Sequence, residues 1–238
     1  MRTVVGTSGY AYKEWKGSFY PADLKADDFL RFYAGRFATV EINNTFYRMP
    51  TERVLAQWAA QVPDGFRFVL KASQRITHRK RLTECAEELQ YFLRTANGLG
   101  AKLGPTLFQL PPNLKQDLPR LLDFLALIPR TWRAAFEFRH ASWFTDETYA
   151  ALRAHGAALV VAETDLEESE LAVPVVATAD WGYLRLRRSV YDDGALDAWA
   201  RTLRAQPWTD AYVFFKHEDE GAGPRLAAEF VAAIERTG

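Results

Sequence analysis

The chain has 238 residues, 48% of them hydrophobic and 25% charged, with 30 basic and 30 acidic side chains. That balance excludes intrinsic disorder and a nucleic-acid binder held by bulk charge, but not a local basic site. One cysteine, Cys85, excludes an internal disulfide framework and a Cys-based zinc site, and fits a reducing compartment.

In chain order, Met1-Arg2-Thr3-Val4-Val5-Gly6 runs straight into a strand expected over 3–6, with no signal-like apolar region before it. An aromatic loop follows, carrying Tyr10, Tyr12, Trp15, Phe19 and Tyr20. A helix is expected over 27–37, a strand over 39–43, then the polar and aromatic run Asn43-Asn44-Thr45-Phe46-Tyr47. Helix 51–61 leads to strand 66–71, after which His78 stands in a basic run from Arg75 to Arg81. Helix 83–97 holds Cys85. Strand 106–110, helix 117–127 and strand 134–138 come next, the last followed by His140 and Trp143. Helix 146–155 has Thr145 as its cap and Gly156 as its stop. Strand 158–163 precedes an irregular stretch over 166–181, where Pro174 and a Val/Ala/Thr run give no helix. Strand 183–187, helix 195–205, strand 211–215 and helix 225–236 complete the chain. No apolar run approaches the roughly 20 residues that span a bilayer, so the expectation is a cytoplasmic protein with no membrane partner.

Units of about 30 residues match a βα repeat. The pattern predicts an α/β fold: a single (β/α)8 TIM-type barrel over 1–238, irregular after the sixth strand. The rival, an open doubly wound sheet, usually carries a Gly-rich phosphate loop after its first strand. Gly6-Thr7-Ser8-Gly9 is neither G-x-G-x-x-G nor a Walker sequence.

Barrel strands alternate between a face on the helices and a face on the interior. Giving the bulky apolar residues to the helix side turns Glu41 and Asn43, Lys71 and Ser73, Gln109, Glu137 and Arg139, Glu163 and Asp165, Arg185 and Arg187, and Lys216 inward. They fall late in their strands, at the C-terminal rim where barrel enzymes keep their sites. The bases Lys71, Arg139, Arg185, Arg187 and Lys216 thus meet the acids Glu41, Glu137, Glu163 and Asp165. Such a cluster either neutralises itself as a structural plug or marks a functional cleft.

The chain also resembles the YecE-like family, domain-of-unknown-function family 72. The resemblance rests on Gly6-Thr7-Ser8-Gly9, Trp15-Lys16-Gly17-Ser18-Phe19-Tyr20-Pro21, Val40-Glu41-Ile42-Asn43 with Thr45-Phe46-Tyr47, Ile76-Thr77-His78, Gln109-Leu110-Pro111-Pro112, and Glu137-Phe138-Arg139-His140 with Ser142-Trp143. It implies a (β/α)8-type barrel without a settled activity. The family's barrels have been likened to metal-dependent repair endonucleases and sugar isomerases on architecture. Two departures add positive charge: Arg185-Leu186-Arg187-Arg188 where many members read Arg-Leu-His-Gly, and Lys216-His217 where many have an Asn pair.

Three functions follow as expectations. The first is an enzyme for a small anionic ligand. Arg139, Arg185, Arg187 and Lys216 would bind phosphate or carboxylate, with Asn43, Gln109, His78, His140, Tyr10, Trp143 and Asp165 around it. Glu137 or Glu41 would serve as general acid or base, and Lys71 as base or imine-forming nucleophile. The second is metal-assisted phosphoester hydrolysis using Glu41, Glu137, Asp165, His140 and His217, which neighbouring Arg and Lys disfavour. The third, less favoured, is non-catalytic binding of single-stranded nucleic acid through the aromatic loop and the Arg75–Arg81 run. Ser8 and Cys85 lack the context of a nucleophile, and the sequence carries no cofactor signature.

Overall fold

In the computed structural model, eight parallel strands pair in chain order: β1 (Arg2–Ser8), β2 (Thr39–Ile42), β3 (Arg67–Lys71), β4 (Leu103–Gln109), β5 (Ala134–Glu137), β6 (Ala158–Thr164), β7 (Trp181–Arg187) and β8 (Asp210–Phe215). β8 returns alongside β1, from Arg2 opposite Asp210 to Thr7 opposite Phe215, and the sheet closes into a barrel without an edge. The structure describes residues 1–165, 171–192, 194–216 and 221–237.

The helices are α1 (Phe29–Ala34), α2 (Glu52–Ala60), α3 (Ala86–Ala96), α4 (Leu118–Leu127), α5 (Asp146–His155), α6 (Ala195–Arg204) and α7 (Ala222–Arg236). Their ends follow ordinary capping chemistry. Thr51, Asp117 and Thr145 accept backbone N–H bonds at the starts of α2, α4 and α5, and Gly156 turns left-handed at the end of α5. The third helix starts later than the expected residue 83, because Arg81, Leu82 and Glu84 all take positive φ while Leu82 is buried. The first is shorter than expected and the last begins at Ala222. The described residues 171–180 between β6 and β7 contain no helix, as the irregular stretch predicts.

Side chains alternate with period two on every strand. Val40, Ile42, Phe68, Leu70, Phe136, Leu184 and Leu186 pack on the helices. Val4, Val69, Leu107, Ala135, Val160, Tyr183 and Phe214 fill the barrel. Gly6 lets β1 and β2 approach closely just below the rim: a Cβ there would lie 2.1 Å from the Thr39 carbonyl oxygen.

The expected register fails on β6. Val160 and Ala162 point inward, so Glu163 faces the helices, where it accepts from the Trp199 indole N–H at 2.8 Å and pairs with Arg188 at 2.8 Å. The run Ala158–Thr164 is apolar on both faces until its end, with Leu159 and Val161 toward the helices and the smaller Ala158 and Ala162 inside. Asp165 shares the parity of Glu163, and its carboxylate accepts the Ser189 backbone N–H at 3.0 Å. Ser73, also expected inside, lies past the end of β3 and lines a separate groove with Arg48, Glu88 and Tyr91.

Candidate functional site

The centre of the barrel mouth is one guanidinium held between two carboxylates. Arg185 on β7 reaches Glu41 on β2 at 2.8 Å and Glu137 on β5 at 2.6 Å. Its side chain is only 3% exposed, and both carboxylates are fully buried. Glu41 is saturated with donors. Ser8 Oγ donates at 2.7 Å, the Tyr183 hydroxyl at 2.6 Å and Asn43 Nδ2 at 3.2 Å. Glu137 turns its other oxygen to Arg139 at 2.5 Å.

These contacts set the ionisation. Burial alone would raise the carboxyl pKa of Glu137, but Arg185, then Arg139, Arg187 and Lys71, outweigh it and push it down to about 2. Burial likewise opposes ionisation of Glu41, and Arg185 with the donors from Tyr183 and Ser8 overrides it, so this pKa is also lowered. Both groups are therefore charged anchors for Arg185. The lowered pKa values favour the ionised form of both carboxyls over the acid form that a proton donor needs.

Above this layer opens a cavity of about 600 Å³, whose wall includes Lys71, Arg139, Arg187 and Lys216 together with Asn43, Gln109, Tyr12, Phe46 and Tyr47. Lys71 Nζ donates to Gln109 Oε1 at 2.8 Å and lies 4.4 Å from the centre of the Phe46 ring. Burial first, then the charge of Arg185, lowers the lysine pKa from 10.5 to about 8, against the opposing pull of Glu137 and Glu41. Tyr47, 72% exposed, forms an aromatic lip.

Other expected site residues lie elsewhere. Trp143 is fully buried, stacked on Phe138 with ring centroids 4.6 Å apart, and donates to the Leu114 carbonyl. His140 caps the short turn Ala141–Trp143 by accepting from the Ser142 backbone N–H, and does not line the cavity. Tyr10 packs near Tyr33 and lines a small crevice of about 110 Å³; its neighbour Tyr12 reaches the mouth instead. His78 stands behind the wall, edge-on to Phe46 at 4.8 Å, in the single π-helical turn Arg75–Arg79. Burial, Lys71 and Arg81 all lower its pKa. Asp165, on the β6 rim, is likewise absent from the wall.

The reasoning from sequence missed Ser8, Tyr183, Tyr12, Phe46 and Tyr47. Ser8 and Tyr183 carried a signal, since each shares the parity of an inward residue on its own strand, Val4 and Arg185.

Among the described residues no three His, Cys, Asp or Glu side chains converge as metal ligands. Glu41 and Glu137 are engaged by Arg185, His140 and Asp165 lie apart from them, and His217 is outside the described residues. Much of the aromatic loop is packing: Trp15 and Tyr20 are buried, and Tyr20 stacks on Phe29 at 4.2 Å, while Tyr12 reaches the mouth. In the basic run, Arg75 and Lys80 both pair with Glu88 of α3 at 3.0 Å. Among the described residues no helix is long and apolar enough to cross a membrane.

Comparison with known proteins agrees with the motifs. The family described as "Protein of unknown function DUF72" matches residues 4–238. The chain belongs to the DUF72 family. A DUF72 family protein of Thermotoga maritima superposes with a TM-score of 0.87 at 28% identity, covering 99% of this chain and 100% of that one. The UPF0759 protein YecE of Escherichia coli K12 is 34% identical over 116 residues, 48% of this chain and 43% of YecE. The UPF0759 protein YunF of Bacillus subtilis is 27% identical over 164 residues, 64% of this chain and 57% of YunF. The matched region thus spans about half the length of these curated relatives.

Proposed function

We propose that the mouth of this barrel is an enzyme site for a small ligand bearing phosphate or carboxylate, at work in the cytoplasm. The observation that carries the reading is a charge imbalance. Lys71, Arg139, Arg187 and Lys216 border the cavity, five bases with Arg185, against the two carboxylates below, Glu41 and Glu137, which are engaged by Arg185 and, for Glu137, also by Arg139. Moving Glu163 and Asp165 out of the interior removes two of the four acids expected there. The described wall is therefore cationic, and an arriving anion would relieve the mutual repulsion of its bases. Arginine suits the task because its planar fork meets carboxylate or phosphate bidentately. Glu41 and Glu137 act as positioning residues that hold Arg185 still.

Titration calorimetry with inorganic phosphate and citrate, beside an uncharged sugar of similar size, tests the reading. Binding of the anions alone is expected, weaker at high salt. The Arg187→Ala/Lys216→Ala pair should bind at least about tenfold more weakly, equivalent to about 1.4 kcal/mol. Equal affinity in that variant, or binding of the sugar alone, would refute the assignment.

A further inference from the structure

Lys71 differs from Arg185 and Arg139 in its partner. Arg185 and Arg139 are paired with carboxylates, whereas the polar partner of Lys71 Nζ among the described residues is the neutral side-chain oxygen of Gln109. The amine lies at the end of β3, on the cavity wall, with Nζ 4.4 Å from the centre of the Phe46 ring. The charged groups facing it are Arg185 from β7, Glu137 and Arg139 from β5 and its end, Glu41 from β2, and His78 from the turn after β3. Desolvation and neighbouring cations are the two conditions that hold a lysine unprotonated near neutral pH and make it a nucleophile.

We infer that Lys71 is a carbonyl-reactive lysine that forms an imine with an aldehyde or ketone also carrying phosphate or carboxylate. The inference rests on the anion-binding reading above and adds the substrate's second functional group. In the step, the neutral Nζ lone pair attacks the carbonyl carbon. A C–N bond forms, and the carbonyl π electrons pass to oxygen, which takes a proton. The resulting carbinolamine loses that oxygen as water, with one of the amine's own protons, leaving C=N. Nothing is oxidised or reduced, and the amine and carbonyl together release one water. The anionic group would sit toward Arg139, Arg187 and Lys216, holding the carbonyl near the amine.

The test uses pyridoxal 5′-phosphate as the probe, with borohydride to reduce any imine to a stable secondary amine, followed by peptide mapping. At limiting probe, Lys71 should be labelled at least about tenfold faster than the surface lysines, because its amine is deprotonated at lower pH. Excess inorganic phosphate should suppress that label. Pyridoxal, which lacks the phosphate, should label Lys71 about tenfold more slowly or less. Lys71→Arg and Lys71→Met should both lose the label. If Lys71 stays unlabelled while phosphate still binds the wild-type protein, the imine inference is overturned and the anion site stands. If pyridoxal and its phosphate label Lys71 equally, and phosphate does not protect, the anion requirement is overturned instead.

Discussion

On β7, Tyr183 and Arg185 are two residues apart on the same inward face, yet they belong to opposite environments. The Tyr183 ring packs with Phe214, Val160 and Leu107 in an apolar layer that fills the lower barrel. One step up, Arg185 sits among Glu41, Glu137, Lys71 and Arg139. The tyrosine hydroxyl is the hinge between the layers, since it donates upward to Glu41 at 2.6 Å. The lower layer is held by packing and excludes water. The upper layer is held by ion pairs whose desolvation cost is met only while every partner is present. Large-to-small changes below should therefore act through lost volume, and single changes above through stranded charge.

Arg185→Met tests that difference with the largest expected effect. It leaves two buried carboxylates facing each other's charge, and urea denaturation should show a loss of about 3–5 kcal/mol. Adding Glu41→Gln and Glu137→Gln to that variant should recover part of the loss. The same anchors predict acid sensitivity. Glu137 has its pKa depressed to about 2 and that of Glu41 is also lowered, so the folded state binds fewer protons than the unfolded chain. Stability should be fully present above the ordinary carboxylate range and fall as pH drops from about 4.3 toward 2. A flat profile across that window would contradict the ionised triad. Tyr183→Phe removes one charge-assisted hydrogen bond and keeps the ring, so a loss of about 1.5–3 kcal/mol is expected. In the lower layer, Phe214→Leu should cost less than about 1.5 kcal/mol and leave anion affinity unchanged. A further pH-dependent effect concerns Lys71. Its folded pKa of about 8 lies below the ordinary lysine value, so the unfolded chain binds more protons between the two. Wild-type stability should therefore rise relative to Lys71→Met from about pH 8 to 10.4, as the cost of burying the charge disappears.

The fold was legible because strand, turn and helix signals recur at a steady spacing, and because bulky pairs such as Phe136 and Phe138, or Leu184 and Leu186, fix which face meets the helices. The same rule placed Glu41, Glu137, Lys71, Arg185 and Lys216 correctly toward the interior. On β6 the expectation departed from that rule: Leu159 and Val161 face the helices and the smaller Ala158 and Ala162 the interior, so bulk turns Glu163 outward, and it was the late acidic residues Glu163 and Asp165 that were read inward. Ionisation was less legible than position. Nothing in the spacing of Glu41 and Glu137 shows that one arginine across the barrel engages both. Trp143 and His140 lie next to Arg139 in sequence, but the chain leaves the barrel wall there, and the two serve packing and a cap instead. Tyr12 and Tyr47 are loop residues, whose reach depends on turns that periodicity does not encode.

The measurement that tests the central claim most directly is a crystal structure of the protein soaked in inorganic phosphate. The cationic mouth predicts density for one phosphate in the cavity above Arg185, within hydrogen-bonding distance of at least two of Arg139, Arg187 and Lys216. A mouth without phosphate, in a crystal whose anions bind only at surface arginines such as Arg75, would contradict the claim.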